Sequence, residues 1–193
     1  VIARFRRMLG EEVFFLTGTD EHGQKVEKAA AARGITPKQL ADEVVTNYYD
    51  VFRRMGFTHN RFIRTTDKDH RKVVQARFRQ LLDTGDIFKA TYKGLYSVSD
   101  EAFVTEIQAK ELQAQGLAHQ LVELEEETYN FRLSEYQNWL EQLYSKNQTF
   151  VAPDFRFNEV KRFVEGGLLD LSISRTSINW GIPVPGDEKH VIY

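Results

Sequence analysis

Residues 13–34 constrain the fold more than any other part of the chain. Val13, Phe14, Phe15 and Leu16 form a continuous apolar, β-prone run; Thr17-Gly18-Thr19-Asp20-Glu21-His22-Gly23 follows directly, and a helical stretch through Val26, Ala29 and Ala30 stops at Gly34. An uninterrupted apolar run predicts a central strand of a parallel sheet covered on both faces, so the segment reads as strand, turn and helix. In an open α/β sheet, ligands bind beyond the carboxyl ends of the strands, which puts this turn where a small-molecule site belongs. An aspartate there can meet a ligand's ammonium group through a charge-assisted hydrogen bond. His22 can donate a hydrogen bond or a proton, and Gly18 and Gly23 let backbone approach closely. The competing reading is that Asp20 and Glu21 only satisfy the free N–H groups and the dipole of the following helix, and spacing alone favours it. Neither Gly-x-Gly-x-x-Gly nor a P-loop pattern occurs in the turn, so it carries no phosphate-cradling signature.

The same alternation continues to about residue 86. Ile2, Phe5 and Met8 stand at helical spacing before Gly10. Thr36-Pro37-Lys38-Gln39 has the form of a capping box with proline at the first helical position, and Leu40, Val44, Tyr48, Val51 and Met55 continue its apolar face to Gly56. Arg61-Phe62-Ile63-Arg64 reads as a second strand, and Thr65-Thr66-Asp67 as the cap of a helix carrying Val73, Val74, Phe78, Leu81 and Leu82. This is an alternating α/β pattern.

The texture changes at Ile87. Residues 87–92 and 95–98 read as a hairpin turning at Lys93-Gly94, residues 106–115 as a polar helix, and residues 119–124 and 129–133 as strands separated by the acidic run Glu125-Glu126-Glu127. That run reads as a solvated edge rather than a metal site. Ser134-Glu135-Tyr136-Gln137 has the form of a second capping box, opening a helix with Tyr136, Trp139, Leu140 and Leu143 on one face and Trp139 in the core. A short helix from Asn158 through Val164, an apolar run over 168–173, Ser174-Arg175, a turn at Pro185-Gly186-Asp187 and an apolar strand from His190 complete the chain. The second candidate cluster is Ser174-Arg175 with Trp180-Gly181-Ile182-Pro183. An arginine there could pair with a carboxylate or phosphate through its planar fork, or be an ordinary surface arginine.

Composition removes several classes. With 41% hydrophobic and 28% charged residues the chain suits a soluble globular protein of one domain, or one domain with a large insertion. No run approaches the roughly 20 apolar residues of a membrane helix, and residues 1–7 lack a signal peptide's apolar core, so an intracellular setting is expected. The absence of cysteine excludes disulfides and thiolate zinc sites, and five scattered histidines argue against a histidine-rich metal centre. A net charge of −2 means that any nucleic-acid partner is held by a local patch or by parts outside these residues.

Four stretches, in order, resemble methionyl-tRNA synthetases: Thr17-Gly-Thr-Asp-Glu-His-Gly-Gln-Lys25, Phe62-Ile-Arg-Thr-Thr66, Tyr92-Lys-Gly-Leu-Tyr-Ser-Val-Ser-Asp-Glu-Ala-Phe103 and Leu171-Ser-Ile-Ser-Arg-Thr-Ser-Ile-Asn-Trp-Gly-Ile-Pro-Val-Pro185. The resemblance spans nearly the whole chain and is weakest over residues 105–126. It implies a Rossmann-like parallel sheet interrupted by an α+β connective-peptide insertion, with residues 1–86 and 171–193 in the catalytic domain and 87–170 in the insertion. It implies a methionine–tRNA ligase that joins methionine to ATP, taken with Mg²⁺, and then transfers the methionyl group to tRNA(Met) in the cytoplasm or an organellar matrix. By the resemblance, Asp20 receives the methionine ammonium group and Arg175 orients that aspartate and binds at the substrate's polar end. Glu21, His22 and Gly23 complete the turn lining the cleft, Ile192 and Tyr193 belong to one wall of the methionine pocket, and Trp180 is scaffold near the cleft. Many relatives carry cysteine-bound zinc in the insertion, and a chain without cysteine resembles a zinc-free form. The family's His-Ile-Gly-His and Lys-Met-Ser-Lys-Ser motifs belong before Val1 and well beyond Tyr193, so these residues alone are expected to be inactive. The alternative reading is a non-catalytic Rossmann-type module that binds tRNA or protein and lacks both motifs.

Overall fold

A computed structural model of the chain describes residues 1–97, 102–104 and 106–192. Two compact units form: the first 78 residues together with those from Thr176 onward, and Arg79–Arg175. The architecture is mixed α/β, with parallel and antiparallel sheets.

In the first unit, helix α1 (Ile2–Met8) is tied by its arginines to the segment before the second strand. Arg4 donates to the carbonyl of Gly56, and Arg7 donates to Thr58 Oγ1 at 2.8 Å and Asn60 Oδ1 at 2.7 Å. Strand β1 is Leu16–Thr19, not the apolar run over 13–16. Among the described residues it pairs with β2 (Arg61–Arg64), in parallel register from Leu16↔Arg61 to Thr19↔Arg64. The two-sided burial expected of the run is also not found, since Phe14 is 70% exposed and Leu16 50%. Close backbone approach, rather than hydrophobicity, sets where the ladder lies. A Cβ on Gly18 would stand 1.8 Å from the Ile63 carbonyl oxygen, so glycine is what lets these strands meet at this register.

Helices α2 (Gln24–Ala32) and α3 (Pro37–Arg54) bury Ala30 against a face carrying Leu40, Ala41 and Val45. The capping box expected at Thr36 is present. Thr36 Oγ1 accepts from the Gln39 N–H at 3.2 Å, while Gln39 Oε1 accepts from the Thr36 N–H at 2.8 Å. Replacing Thr36 by alanine is expected to lower stability by about 1 kcal/mol, with serine close to wild type. Thermal unfolding of the two variants checks this, and equal midpoints would contradict it. Phe52 of α3 stacks on Phe57 at 4.5 Å, and Tyr49 meets Phe62 of β2 at 4.8 Å, fixing the helix on the strand. Helix α4 (Lys68–Asp83) then begins after Asp67, whose carboxylate accepts the Arg64 N–H at 3.0 Å.

The second unit contains β3 (Ile87–Ser97), β4 (Ala102–Phe103), α5 (Glu106–Ala114), β5 (Leu121–Phe131), α6 (Gln137–Lys146), α7 (Asp154–Glu165), β6 (Leu171–Ser172) and β7 (Ser174–Arg175). Strands β4, β3, β5 and β6 form one antiparallel sheet in that order. Three local expectations yield to long-range pairing here. The hairpin at Lys93-Gly94 does not form, because β3 runs straight through both residues and pairs along its whole length with β5. The acidic run does not separate two strands but lies within β5. Glu125 and Glu127 face Lys93 and Lys89 at 4.0 and 2.8 Å, and Glu126 turns inward and is buried. The box at Ser134 does not form either. Ser134 Oγ donates to Asp170, and Gln137 binds the Val164 carbonyl and the Leu168 N–H, while α6 begins without a side-chain cap. Tyr144, Val164 and Leu168 make the core between α6 and α7, with Leu140 and Leu143 against it. Trp139, expected in that core, is 59% exposed. Helix α7 begins at Asp154, four residues ahead of the expected start.

The chain returns to the first unit with β8 (Ile182–Val184) and β9 (Asp187–Ile192), an antiparallel hairpin that turns at Pro185-Gly186, with Gly186 at φ +84°. Gln75 of α4 donates to the Pro183 carbonyl at 2.8 Å. No helix among the described residues is long and apolar enough to cross a membrane.

Candidate functional site

The end of β1 delivers four residues whose exposure alternates: Asp20 is exposed, Glu21 buried, His22 half-buried and Gly23 buried. Buried Glu21 thus stands between an exposed Asp20 and a half-buried His22. Glu21 is fixed from every direction. Its Oε1 accepts from Thr19 Oγ1 at 2.7 Å and from Arg64 Nε at 2.6 Å, and Oε2 accepts from Thr66 Oγ1 at 2.5 Å. Its N–H donates to Thr65 Oγ1 at 3.0 Å, and its carbonyl accepts the Trp180 indole N–H at 2.5 Å. Helix α2 has no side-chain cap, and Gly23 stands at its N-cap position with φ 109°. Glu21 is therefore not the helix cap that spacing favours; its charge is spent on Arg64.

Burial pushes the Glu21 carboxyl up, but hydrogen bonds from Arg64, Thr66 and Thr19, with the Arg64 charge, outweigh it and hold the group below its ordinary value of 4.5. A carboxyl that is more acidic folded than unfolded stabilises the fold fully above about pH 4.5, and that contribution fades as pH falls through 4.5 toward the folded value. The gap in thermal midpoint between wild type and Glu21→Gln should accordingly narrow on acidification from pH 7 to pH 4. A constant gap would contradict the ionised pair.

Burial lowers the His22 imidazole below its ordinary 6.5, opposed by the nearby carboxylates of Asp20 and Glu21 and helped by the Arg71 guanidinium. It is thus largely neutral at pH 7, offering one N–H donor and one acceptor. Its ring lies 5.3 Å from that of Trp180, and the Gly23 N–H donates to the Trp180 carbonyl at 3.3 Å. Trp180 is therefore the strut under this turn.

The other residues named from sequence fall elsewhere. Ile192 ends β9 opposite Ile182, and Tyr193 lies outside the described residues. Arg175, in the second unit, is 5% exposed, so it is not the surface arginine that its context allowed. Its Nη1 donates to Ser172 Oγ and the Ser174 carbonyl, both at 2.8 Å, and its guanidinium lies 5.9 Å from the Tyr96 ring centre. From sequence, Arg64 counts only as strand, Thr19 as turn and Thr66 as helix cap. The available signal was an arginine ending a strand directly before Thr65, Thr66 and Asp67, two hydroxyls and a carboxyl.

The family model described as tRNA synthetases class I (M) matches residues 1–116 and 114–193. A methionine–tRNA ligase of Halalkalibacterium halodurans is 46% identical over 204 residues, covering 100% of this chain and 31% of the relative, and one of Rickettsia typhi is 48% identical, covering 100% and 38%. The chain thus spans about a third of the length of these curated relatives. Among solved structures, a Mycobacterium tuberculosis methionyl-tRNA synthetase in complex with methionyl-adenylate superposes with a TM-score of 0.91 at 43% identity, covering 100% of this chain and 38% of that one. With its motifs in order and a family model matched from end to end, the chain belongs to the class I tRNA synthetase (M) family.

Proposed function

We propose that the chain is part of the catalytic domain of a methionine–tRNA ligase, and that the turn after β1 holds the methionine ammonium group. The observation carrying this reading is the alternation at residues 20–22: Glu21 is consumed inside the unit, which leaves Asp20 as the acidic group facing outward beside a largely neutral His22. An α-ammonium loses water on entering a cleft, and a fixed carboxylate offsets that loss. Arg175 is proposed as a further substrate-binding residue. His22 and Gly23 line the cleft, and Ile192 lies along the methionine side chain. Glu21 serves the site by shaping the turn, since both its oxygens already have partners.

In the proposed reaction the methionine carboxylate attacks the α-phosphorus of ATP, which arrives with Mg²⁺. Pyrophosphate leaves, and the mixed anhydride then passes its methionyl group to a hydroxyl of the terminal adenosine of tRNA(Met). Positioning and charge stabilisation carry the first step, with no covalent enzyme intermediate. The tRNA partner places the enzyme in a translating compartment, the cytoplasm or an organellar matrix. Residues 1–86 and 171–193 are read as a Rossmann-like domain and 87–170 as a zinc-free connective insertion. The discontinuous first unit and the antiparallel sheet of the second support that division. A non-catalytic module is not favoured, because the relatives that match are named as ligases.

ATP–pyrophosphate exchange by the complete gene product, measured with each of the twenty amino acids in turn, tests the reading. Exchange dependent on methionine is expected, and exchange dependent on another amino acid, or on none, would overturn it.

A further inference from the structure

Arg64 ends β2 opposite Thr19, the last residue of β1, with its side chain only 15% exposed. Its guanidinium works in two directions. Nε donates to Glu21 Oε1 at 2.6 Å, and Nη1 reaches Asp42 Oδ1 on α3 at 2.7 Å. Its own N–H is taken by Asp67 at the head of α4. One side chain therefore joins the turn after β1 to a helix on one side, while its backbone is held by the next helix. The residues beside it finish the grip: Thr66 Oγ1 binds the other Glu21 oxygen, and Thr65 Oγ1 accepts the Glu21 N–H. Glu21 lies between exposed Asp20 and half-buried His22, so releasing its side chain from this socket would free the backbone that carries both.

We infer that Arg64 is a positioning residue for amino-acid activation: acting through Glu21, it sets the direction in which the turn presents Asp20 and His22, without touching the substrate. This rests on the methionine-site reading given above. A guanidinium is suited to the task because its planar fork can meet Glu21 and Asp42 at once, which a lysine's single ammonium on a flexible stem does not reproduce. Thr66 has the same function in smaller degree, because it contributes one hydrogen bond to the same carboxylate.

The test uses the complete gene product and reads KM for methionine, KM for ATP and kcat in pyrophosphate exchange, with thermal midpoints alongside. Arg64→Lys keeps the charge near Glu21 and is expected to fold, to raise KM for methionine about tenfold, and to leave KM for ATP within about twofold. Thr66→Val should move KM for methionine about threefold in the same direction. In an Asp20→Asn background, Arg64→Lys should add less than about twofold, because the group it positions is gone. A purely structural role would instead lower the midpoint and the active fraction, leaving both KM values unchanged, and that result would overturn the proposal. If Arg64→Lys fails to fold, Thr66→Val decides on the same readouts, with unchanged KM for methionine counting against the proposal. The two readings fail separately. Wild-type KM for methionine in Asp20→Asn overturns the ammonium site and the proposal built on it. A raised KM in Asp20→Asn with no effect of Arg64→Lys or Thr66→Val overturns the positioning role alone.

Discussion

Alanine at Gly18 is expected to lower stability by about 3 kcal/mol or more. The added Cβ would meet the Ile63 carbonyl oxygen at 1.8 Å, its carbonyl carbon at 2.8 Å and its Cγ2 at 2.9 Å. Two of these three atoms are backbone in the paired strand, so no side-chain rotation relieves the clash; β1 and β2 have to separate. Separation breaks the parallel ladder at its middle and pulls Thr19 away from Arg64, and the turn that ends in Gly23 loses its support. Gly166→Ala is the matched control. That glycine already has helical dihedrals of −70° and −6°, and its added Cβ meets only the Phe163 and Arg162 carbonyl oxygens, at 3.3 and 3.4 Å. The control should stay within about 1 kcal/mol of wild type. Thermal unfolding of both variants settles the comparison, and a Gly18→Ala midpoint equal to that of the control would contradict the close approach of the strands.

Asp20→Asn should have the largest effect on activity at preserved stability. Asparagine keeps the shape and the acceptor oxygen but removes the charge. An exposed residue with no role in the Glu21 socket can change in this way without disturbing the fold. A hydrogen bond to a charged partner is worth about 2 to 3 kcal/mol, which corresponds to a roughly 30- to 150-fold rise in KM for methionine in pyrophosphate exchange. KM for ATP should move far less. Exchange at the wild-type level would remove Asp20 from the site.

Much of the first unit was legible because its signals are local. Thr36, Pro37 and Gln39 lie within one helical turn, so both halves of the capping box can be read from four letters, and both form. Arg61-Phe62-Ile63-Arg64 is a strand as its composition suggests. The second unit was read less well, because its geometry is decided by residues far away in sequence. Lys93-Gly94 has local turn character, yet eleven residues of β5 offer β3 a continuous ladder, and the ladder wins. Ser134 and Gln137 have the right spacing for a cap, but Asp170, Val164 and Leu168 claim their side chains first. Trp139 has the type of a core residue, but that helix buries Tyr144 instead.

The turn shows the same division. Its position at the end of a strand was legible from the apolar run before it, although the run itself is not the strand. Which of its two acids faces inward was not legible, because the answer depends on Arg64 and Thr66, 43 and 45 residues further along. Taken by itself, Asp20-Glu21 is a pair of equivalent acids before a helix. Paired with β2, one becomes an internal anchor and the other an outward-facing charge.

The central claim is that Asp20 reads the ammonium group of methionine, and the most direct measurement is calorimetric binding of two ligands to two proteins. The ligands are methionine and its α-hydroxy analogue, which replaces the ammonium by a neutral hydroxyl; the proteins are the complete gene product and its Asp20→Asn variant. The wild type should bind methionine roughly 30-fold or more tightly than the analogue. In Asp20→Asn that preference should collapse to within a few fold, with the thermal midpoint unchanged. A variant that keeps the full preference for methionine would contradict the assignment.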